Sequence, residues 1–185
     1  MIKATGLTKI YDGKKIIDGF SREFQNGKCY AITGPSGCGK TTLLNMLLRL
    51  VKPDEGEVTF EAEPHFGVLF QEDRLIESLS SVRNVGIVAE NPDEEKIRRE
   101  MSRLLPEDSL SKPVKELSGG MKRRAALVRA FSHGDIIILD EPFSELDEEN
   151  IRIVSGYIKE RSKGKTVIIA EHEYEYLDFC ENIVL

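Results

Sequence analysis

Cys29-Tyr30-Ala31-Ile32-Thr33, Gly34-Pro35-Ser36-Gly37-Cys38-Gly39-Lys40-Thr41 and Thr42-Leu43-Leu44-Asn45-Met46-Leu47-Leu48 follow one another without a break, and this stretch decides the fold. Cys29 to Thr33 reads as a short buried strand, and Thr41 to Leu48 reads as a helix that opens straight out of the glycine-rich turn between them. The turn fits G-x-x-x-x-G-K-[ST], in the strand and helix context that its mechanism requires. Its glycines let consecutive backbone N–H groups face a phosphate, and the helix dipole adds positive potential at the same point. Lys40 is placed to reach β- and γ-phosphates and the Thr41 hydroxyl to ligate Mg²⁺. The loop by itself specifies nucleoside triphosphate binding and is shared by kinases, GTPases, helicases and transport ATPases.

Working outward, Pro53-Asp54-Glu55-Gly56 is a turn signal, and Val58 to Ala62 and Phe66 to Phe70 read as strands. Ile97, Met101, Leu104 and Leu105 fall on one face of an amphipathic helix over Asp93 to Leu105, which Pro106 and Pro113 close. Ser118 opens a second helix to about Phe131. Strands at Ile136 to Leu139 and Thr166 to Ala170 flank a helical segment from Glu148 to Glu160. Strands alternating with helices predict an α/β fold with a mainly parallel sheet, and the helices between Leu75 and Leu117 predict a separate lobe.

Ile136-Ile137-Ile138-Leu139-Asp140-Glu141 presents two carboxylates at a strand end, where parallel α/β sheets bind ligands. Neighbouring residues there point in different directions, so Asp140 is expected in a Mg²⁺ shell and Glu141 beside a water attacking the γ-phosphate. Leu117-Ser118-Gly119-Gly120-Met121 places a serine and two glycines at a helix start. That is either a second anion site or a helix cap with a supple approach.

The 185 residues suit one compact domain, and 26 Lys and Arg against 32 Asp and Glu leave a formal charge of -6. Such a balance excludes a general polyanion binder. No run approaches the roughly 18 apolar residues of a membrane span, and the first residues lack a signal peptide's apolar core, so a cytoplasmic protein is expected. Cys29, Cys38 and Cys180 are an odd set without metal spacing and suit a reducing compartment.

With these motifs in this order the sequence resembles the ATP-binding subunits of ABC transporters, from about Leu7 to about Val184. The resemblance implies a P-loop NTPase fold in a single domain over 1–185. A RecA-like core with a trimmed antiparallel β lobe would occupy 1–70 and 132–185, and a helical lobe 71–131. It implies that Tyr11 stacks on adenine and that Gly34, Pro35, Ser36, Gly37, Cys38, Gly39, Lys40 and Thr41 form the Walker A loop, which binds ATP together with Thr42. Gln71 would touch Mg²⁺ together with Thr41 and Asp140, and Gln71 would also face membrane subunits. Ser118, Gly119 and Gly120 would serve the ATP of a second copy paired head to tail. Glu141 would polarise the water, Asp147 would close the D-loop Ser144-Glu145-Leu146-Asp147, and His172 would hold the γ-phosphate. His65 and His133 read as surface or loop residues.

Met121 after the glycine pair, with Phe70-Gln71-Glu72-Asp73-Arg74-Leu75, looks most like the nitrate, sulfonate and taurine importers. Implied partners are a second ATPase subunit, membrane permease subunits and an extracytoplasmic solute-binding protein, but no nucleic acid. The chain would then sit on the inner face of the cell membrane. Leu75, Ile76, Leu79, Val82 and Val85 serve either as a groove for a membrane subunit or as ordinary core. Arg123, Arg124 and Arg129 form a basic patch read as a solvated face that meets the partner's phosphates. The β lobe is shorter than usual, and Glu171-His172-Glu173 replaces the usual Thr-His-Asp. ABC ATPases of DNA repair or translation, or another P-loop NTPase, are the alternative classes. Cys38 is a reactive thiol or a small residue that fits the loop.

Overall fold

The computed structural model describes residues 1–89 and 91–185. A hairpin of β1 (Ile2–Tyr11) and β2 (Lys14–Phe24) opens the chain, followed by β3 (Cys29–Thr33) and α1 (Lys40–Leu47). Then come β4 (Glu55–Phe60), β5 (Phe66–Leu69), α2 (Ser81–Gly86), α3 (Glu94–Met101) and α4 (Gly119–Phe131). The order closes with β6 (Ile136–Asp140), α5 (Glu148–Arg161), β7 (Thr166–Glu171) and β8 (Glu181–Val184). β2, β1 and β4 make a small antiparallel sheet, and β5-β6-β7-β3-β8 make a central sheet in which every neighbouring pair is parallel.

The apolar runs form central strands because both faces of that sheet are covered. Ile137, Leu139, Val167, Ile169 and Ala31 face a core shared with α4 and α5, while Ile138, Ile168, Ala170, Tyr30 and Ile32 face one shared with α1 and the antiparallel sheet. Alternate residues of one strand thus enter different cores, as a period of two demands. Register aligns the strand ends: Asp140 lies opposite Ala170, and Thr33 opposite Glu171. All parallel strands deliver their carboxyl ends to one edge, and the motif residues gather there.

In the helical lobe Val82, Val85, Ile97, Met101, Leu104, Leu105 and Leu110 are buried in the same cluster as Leu69, Ile137 and Leu139, so the lobe packs against the central sheet. Two expectations change. The helix expected to reach Leu105 ends at Met101, capped at its start by Asp93, yet Leu104 and Leu105 remain buried in the turns that follow. Cys29 and Cys180 are joined as a disulfide and Cys38 alone is free. The pairing of β3 with β8 brings together two cysteines 151 residues apart, so the odd count concealed a pair.

Candidate nucleotide site

Backbone shape builds the loop before α1. Gly39 stands at the helix N-cap with φ 108°, and a β-carbon there would crowd Ile16 Cγ2 at 2.9 Å and Ile17 Cδ1 at 2.8 Å. Only glycine meets both constraints. Lys40, 5% exposed, turns its ammonium back on the loop and donates to Gly34 O at 2.7 Å and Pro35 O at 3.1 Å, with His172 Nδ1 at 3.5 Å. A cavity of about 260 Å³ opens beside it. Gly37, Gly39, Lys40, Thr41 and Thr42 form one wall; Tyr11 and Ile16 from the hairpin form another; Glu141 and His172 close the third. Tyr11 is 44% exposed at the end of β1, with Lys9 Nζ over its ring at 5.4 Å. A larger cavity of about 460 Å³ lies along β1 and β2, but its Lys3, Arg22, Glu23, Lys28 and Glu181 are charges of mixed sign without a phosphate cradle.

Glu141 Oε1 lies 3.0 Å from His172 Nε2. The Glu141 backbone is left-handed, φ 50°, a conformation that costs a non-glycine residue about 1–3 kcal/mol. Asp140 is 5% exposed; the Thr41 hydroxyl lies beside its carboxylate, and among the described residues its Oδ1 is buried without a partner. Burial pushes the Asp140 pKa up, although Thr41, Arg123 and Lys40 pull it down. An unpartnered carboxylate oxygen beside a hydroxyl is a hard-oxygen donor set that fits Mg²⁺. Gln71 is exposed just beyond β5 and does not line the cavity. Glu171, read from sequence as a departure in charge, is buried and accepts the N–H groups of Phe143 at 3.0 Å and His172 at 3.1 Å. It ties the His172 segment to the turn after β6, and burial raises its pKa.

Ser118, Gly119 and Gly120 do not line this cavity. Ser118 caps α4, accepting the Met121 N–H at 3.3 Å. A β-carbon at Gly119 would overlap the Glu145 carboxylate, and one at Gly120 would lie 3.1 Å from Glu145 O. The glycine pair therefore lets the Ser144 to Asp147 turn lie against the helix start. Asp147 caps α5, and its Oδ1 accepts from Asn150 N at 2.8 Å. That bond, and a second from Asn150 Nδ2 at 2.9 Å, hold the Asp147 pKa below its usual range.

The arginines overturn the solvated-face expectation. Arg123 is 3% exposed and spans the ends of β5 and β6; Arg129 donates to Arg74 O at 2.6 Å and Asp73 O at 2.8 Å; Arg124 reaches Asn150 Oδ1 at 2.6 Å. Arg123 and Arg129 face inward because the loops at the sheet edge leave carbonyl oxygens that need donors. Of the suggested groove residues, Val82 and Val85 are core and Leu75 packs against the core. Leu79 and Val82 line a shallow cavity of about 420 Å³ with Arg83, Gly86, Ile87, Pro92, Glu94 and Ile97. Ile76 and Ile87 are 48% and 60% exposed. Ile16, Glu171 and the inward role of Arg123 were missed by motif reading; the Asp12-Gly13 turn, which folds the hairpin carrying Ile16, was the available signal for the first.

The family model described as ABC transporter matches residues 17–144. The chain belongs to the ABC transporter family. It is 33% identical to the aliphatic sulfonates import ATP-binding protein SsuB 1 of Rhizobium johnstonii, over 93% of this chain and 68% of that protein. It is 34% identical to the Nod factor export ATP-binding protein I of Burkholderia thailandensis, over 91% of this chain and 62% of that one. This ABC transporter chain spans only 58% to 61% of the length of three further curated relatives. The dimeric post-hydrolysis structure of the ATP-binding cassette MJ0796 bound to ADP and Pi matches it with a TM-score of 0.88 at 26% identity, covering all of this chain and 94% of that one. The α/β P-loop architecture is thus that of ABC cassettes. In this ABC transporter chain no described helix is long and apolar enough to cross a membrane.

Proposed function

We propose that this chain binds and hydrolyses ATP as one half of a head-to-tail pair and couples that cycle to transport through membrane permease subunits. The carrying observation is the split placement of the motifs: Tyr11, Lys40, Thr41, Glu141 and His172 meet at one cavity, and the Ser118 to Gly120 glycines lie outside it. A second copy would bring its glycines to this cavity, and ATP would hold the two together. ATP-bound and released pairs are then two populations shifted by γ-phosphate contacts.

Tyr11 would stack on the adenine, and Gly34 to Gly39 would wrap the phosphates with Lys40 redirected from its loop carbonyls to the γ-phosphate oxygens. Thr41, Asp140 and Gln71 would hold Mg²⁺, whose charge would offset that of the β- and γ-phosphates when it is bound. Glu141 would take a proton from the water as its oxygen attacks the γ-phosphorus, and the bond to the β-phosphate oxygen breaks to leave ADP and phosphate. His172 would orient both the Glu141 carboxylate and the γ-phosphate. Ser118, Gly119, Gly120 and Asp147 would act across the pair.

The cavity lined by Leu79, Val82 and Ile87 suits a helix of a permease subunit, which would place the chain on the cytoplasmic face of the membrane. Met121 after the glycines favours an importer of the nitrate, sulfonate and taurine type, supplied by an extracytoplasmic solute-binding protein. The sulfonate importer relative supports this, while the similar identity to an exporter leaves the direction resting on the motif.

The test is Mg²⁺-dependent release of phosphate by the purified chain, with Lys40→Ala as control. Titration with a fluorescent ATP analogue should show affinity reduced by about tenfold or more in Lys40→Ala. Unaltered affinity counts against the cradle. Co-purification with candidate membrane subunits, and stimulation of hydrolysis by them, tests the transport half.

A further inference from the structure

Arg123 lies near the start of α4, away from the cavity, yet it makes more polar contacts than any residue that lines it. Nε donates to Glu141 O at 3.2 Å and Nη2 to the same oxygen at 3.0 Å, while Nη2 also reaches Asp140 O. On the other side Nη1 donates to Phe70 O at 2.6 Å, Gln71 O at 3.2 Å and Asp73 Oδ1 at 3.0 Å. Asp73 is its ion-pair partner, and the guanidinium side chain is only 3% exposed. A planar fork of five donors can serve two strand ends at once; an ammonium cannot.

We infer that Arg123 is a positioning residue for hydrolysis: it clamps the left-handed Glu141 backbone and ties it to the Gln71 segment. The inference rests on the proposed role of Glu141. Left-handed residues persist only where their surroundings over-determine them. Glu141 N–H is held by Ala170 O at 2.9 Å and its carbonyl by two Arg123 donors, so the peptide groups on both sides are anchored. That anchoring aims the carboxylate at His172 Nε2. The same guanidinium holds the Phe70 and Gln71 carbonyls, so a shift of the Gln71 segment moves the Glu141 carbonyl through one rigid group.

Arg123→Lys keeps the charge beside Asp73 but cannot span both strand ends. It should keep the wild-type circular dichroism spectrum and ATP affinity within about twofold while kcat falls by about tenfold to a hundredfold, the cost of misplacing a reacting group. Arg123→Gln should show the same split between kcat and KM. A folded Arg123→Lys variant with wild-type kcat, or one that loses ATP affinity and kcat together, overturns the inference. A second readout needs no hydrolysis. His172 is one of three histidines, so its ring nitrogens can be followed by ¹⁵N NMR and assigned with His172→Gln. Arg123→Lys should move those signals toward their positions in Glu141→Ala; unchanged signals refute the clamp. If the wild-type chain releases no phosphate while the signals move as expected, the proposed hydrolysis fails and the clamp stands.

Discussion

Glu141 joins a costly backbone to an aimed carboxylate, and its substitution isolates the chemistry. Glu141→Gln preserves shape and the glycine loop but removes the proton acceptor of the proposed mechanism, so ATP binding should persist while phosphate release falls by about a hundredfold or more. With ATP present the variant should elute as a dimer on size-exclusion chromatography, because the step that dissolves the pair is blocked; unchanged turnover would remove Glu141 from catalysis. Glu171 makes a pH prediction. Burial raises its folded-state pKa above the ordinary 4.5, so its stabilising contribution is complete below that value and is lost as pH rises through the raised one. Wild-type melting temperature should therefore decline from pH 4.5 upward relative to Glu171→Gln. Parallel curves for the two proteins would mean that the carboxyl titrates alike in both states. Cradle, strand-end carboxylates and His172 were legible at this scale because each needs a particular residue type at a particular spacing. Arg123 and Glu171 were not legible, since a charged side chain reads as solvated until the carbonyls and N–H groups around it are known.

At the scale of elements, α4 lies directly on β5, and Gly67 permits the approach. A β-carbon there would overlap the carbonyl oxygens of Ala130 and His133 at the end of α4. Those are backbone atoms that no rotamer change can move. Gly67→Ala should destabilise the protein by about 1–3 kcal/mol and lower its melting temperature by roughly 2–10 °C in calorimetry. An unchanged melting temperature would show that the helix can slide away at little cost. Apolar runs and periodicity located β3, β6, β7, α1, α4 and α5 to within about two residues, because buried parallel strands and amphipathic helices carry strong patterns. β1 and β2 carry many charged residues on their exposed faces and show no such run. Their signal was the turn: Asp12 and Gly13 have φ 50° and 75°, the geometry of a two-residue hairpin.

Across the whole molecule, the disulfide closes a loop of 151 residues, which by chain entropy is worth on the order of 5 kcal/mol. Thiol titration of the unreduced, unfolded protein should count Cys38 alone. Reduction, or Cys180→Ser, should lower the melting temperature; three titratable thiols without reductant would show that the pair stands as free thiols. In a reducing compartment the compartment's potential sets that balance. The sequence by itself determined the strand, glycine-loop and helix unit, the strand-end carboxylates and the α/β class, because those depend on local backbone shape and on residues a few positions apart. Only the tertiary structure decided that Glu141 meets His172, that Asp140 keeps an unpartnered oxygen beside Thr41, and that Arg123 locks two strand ends together. Each of these joins segments tens of residues apart in the chain, and their meeting depends on strand order, register and helix packing, which many sequences with the same local pattern could satisfy differently.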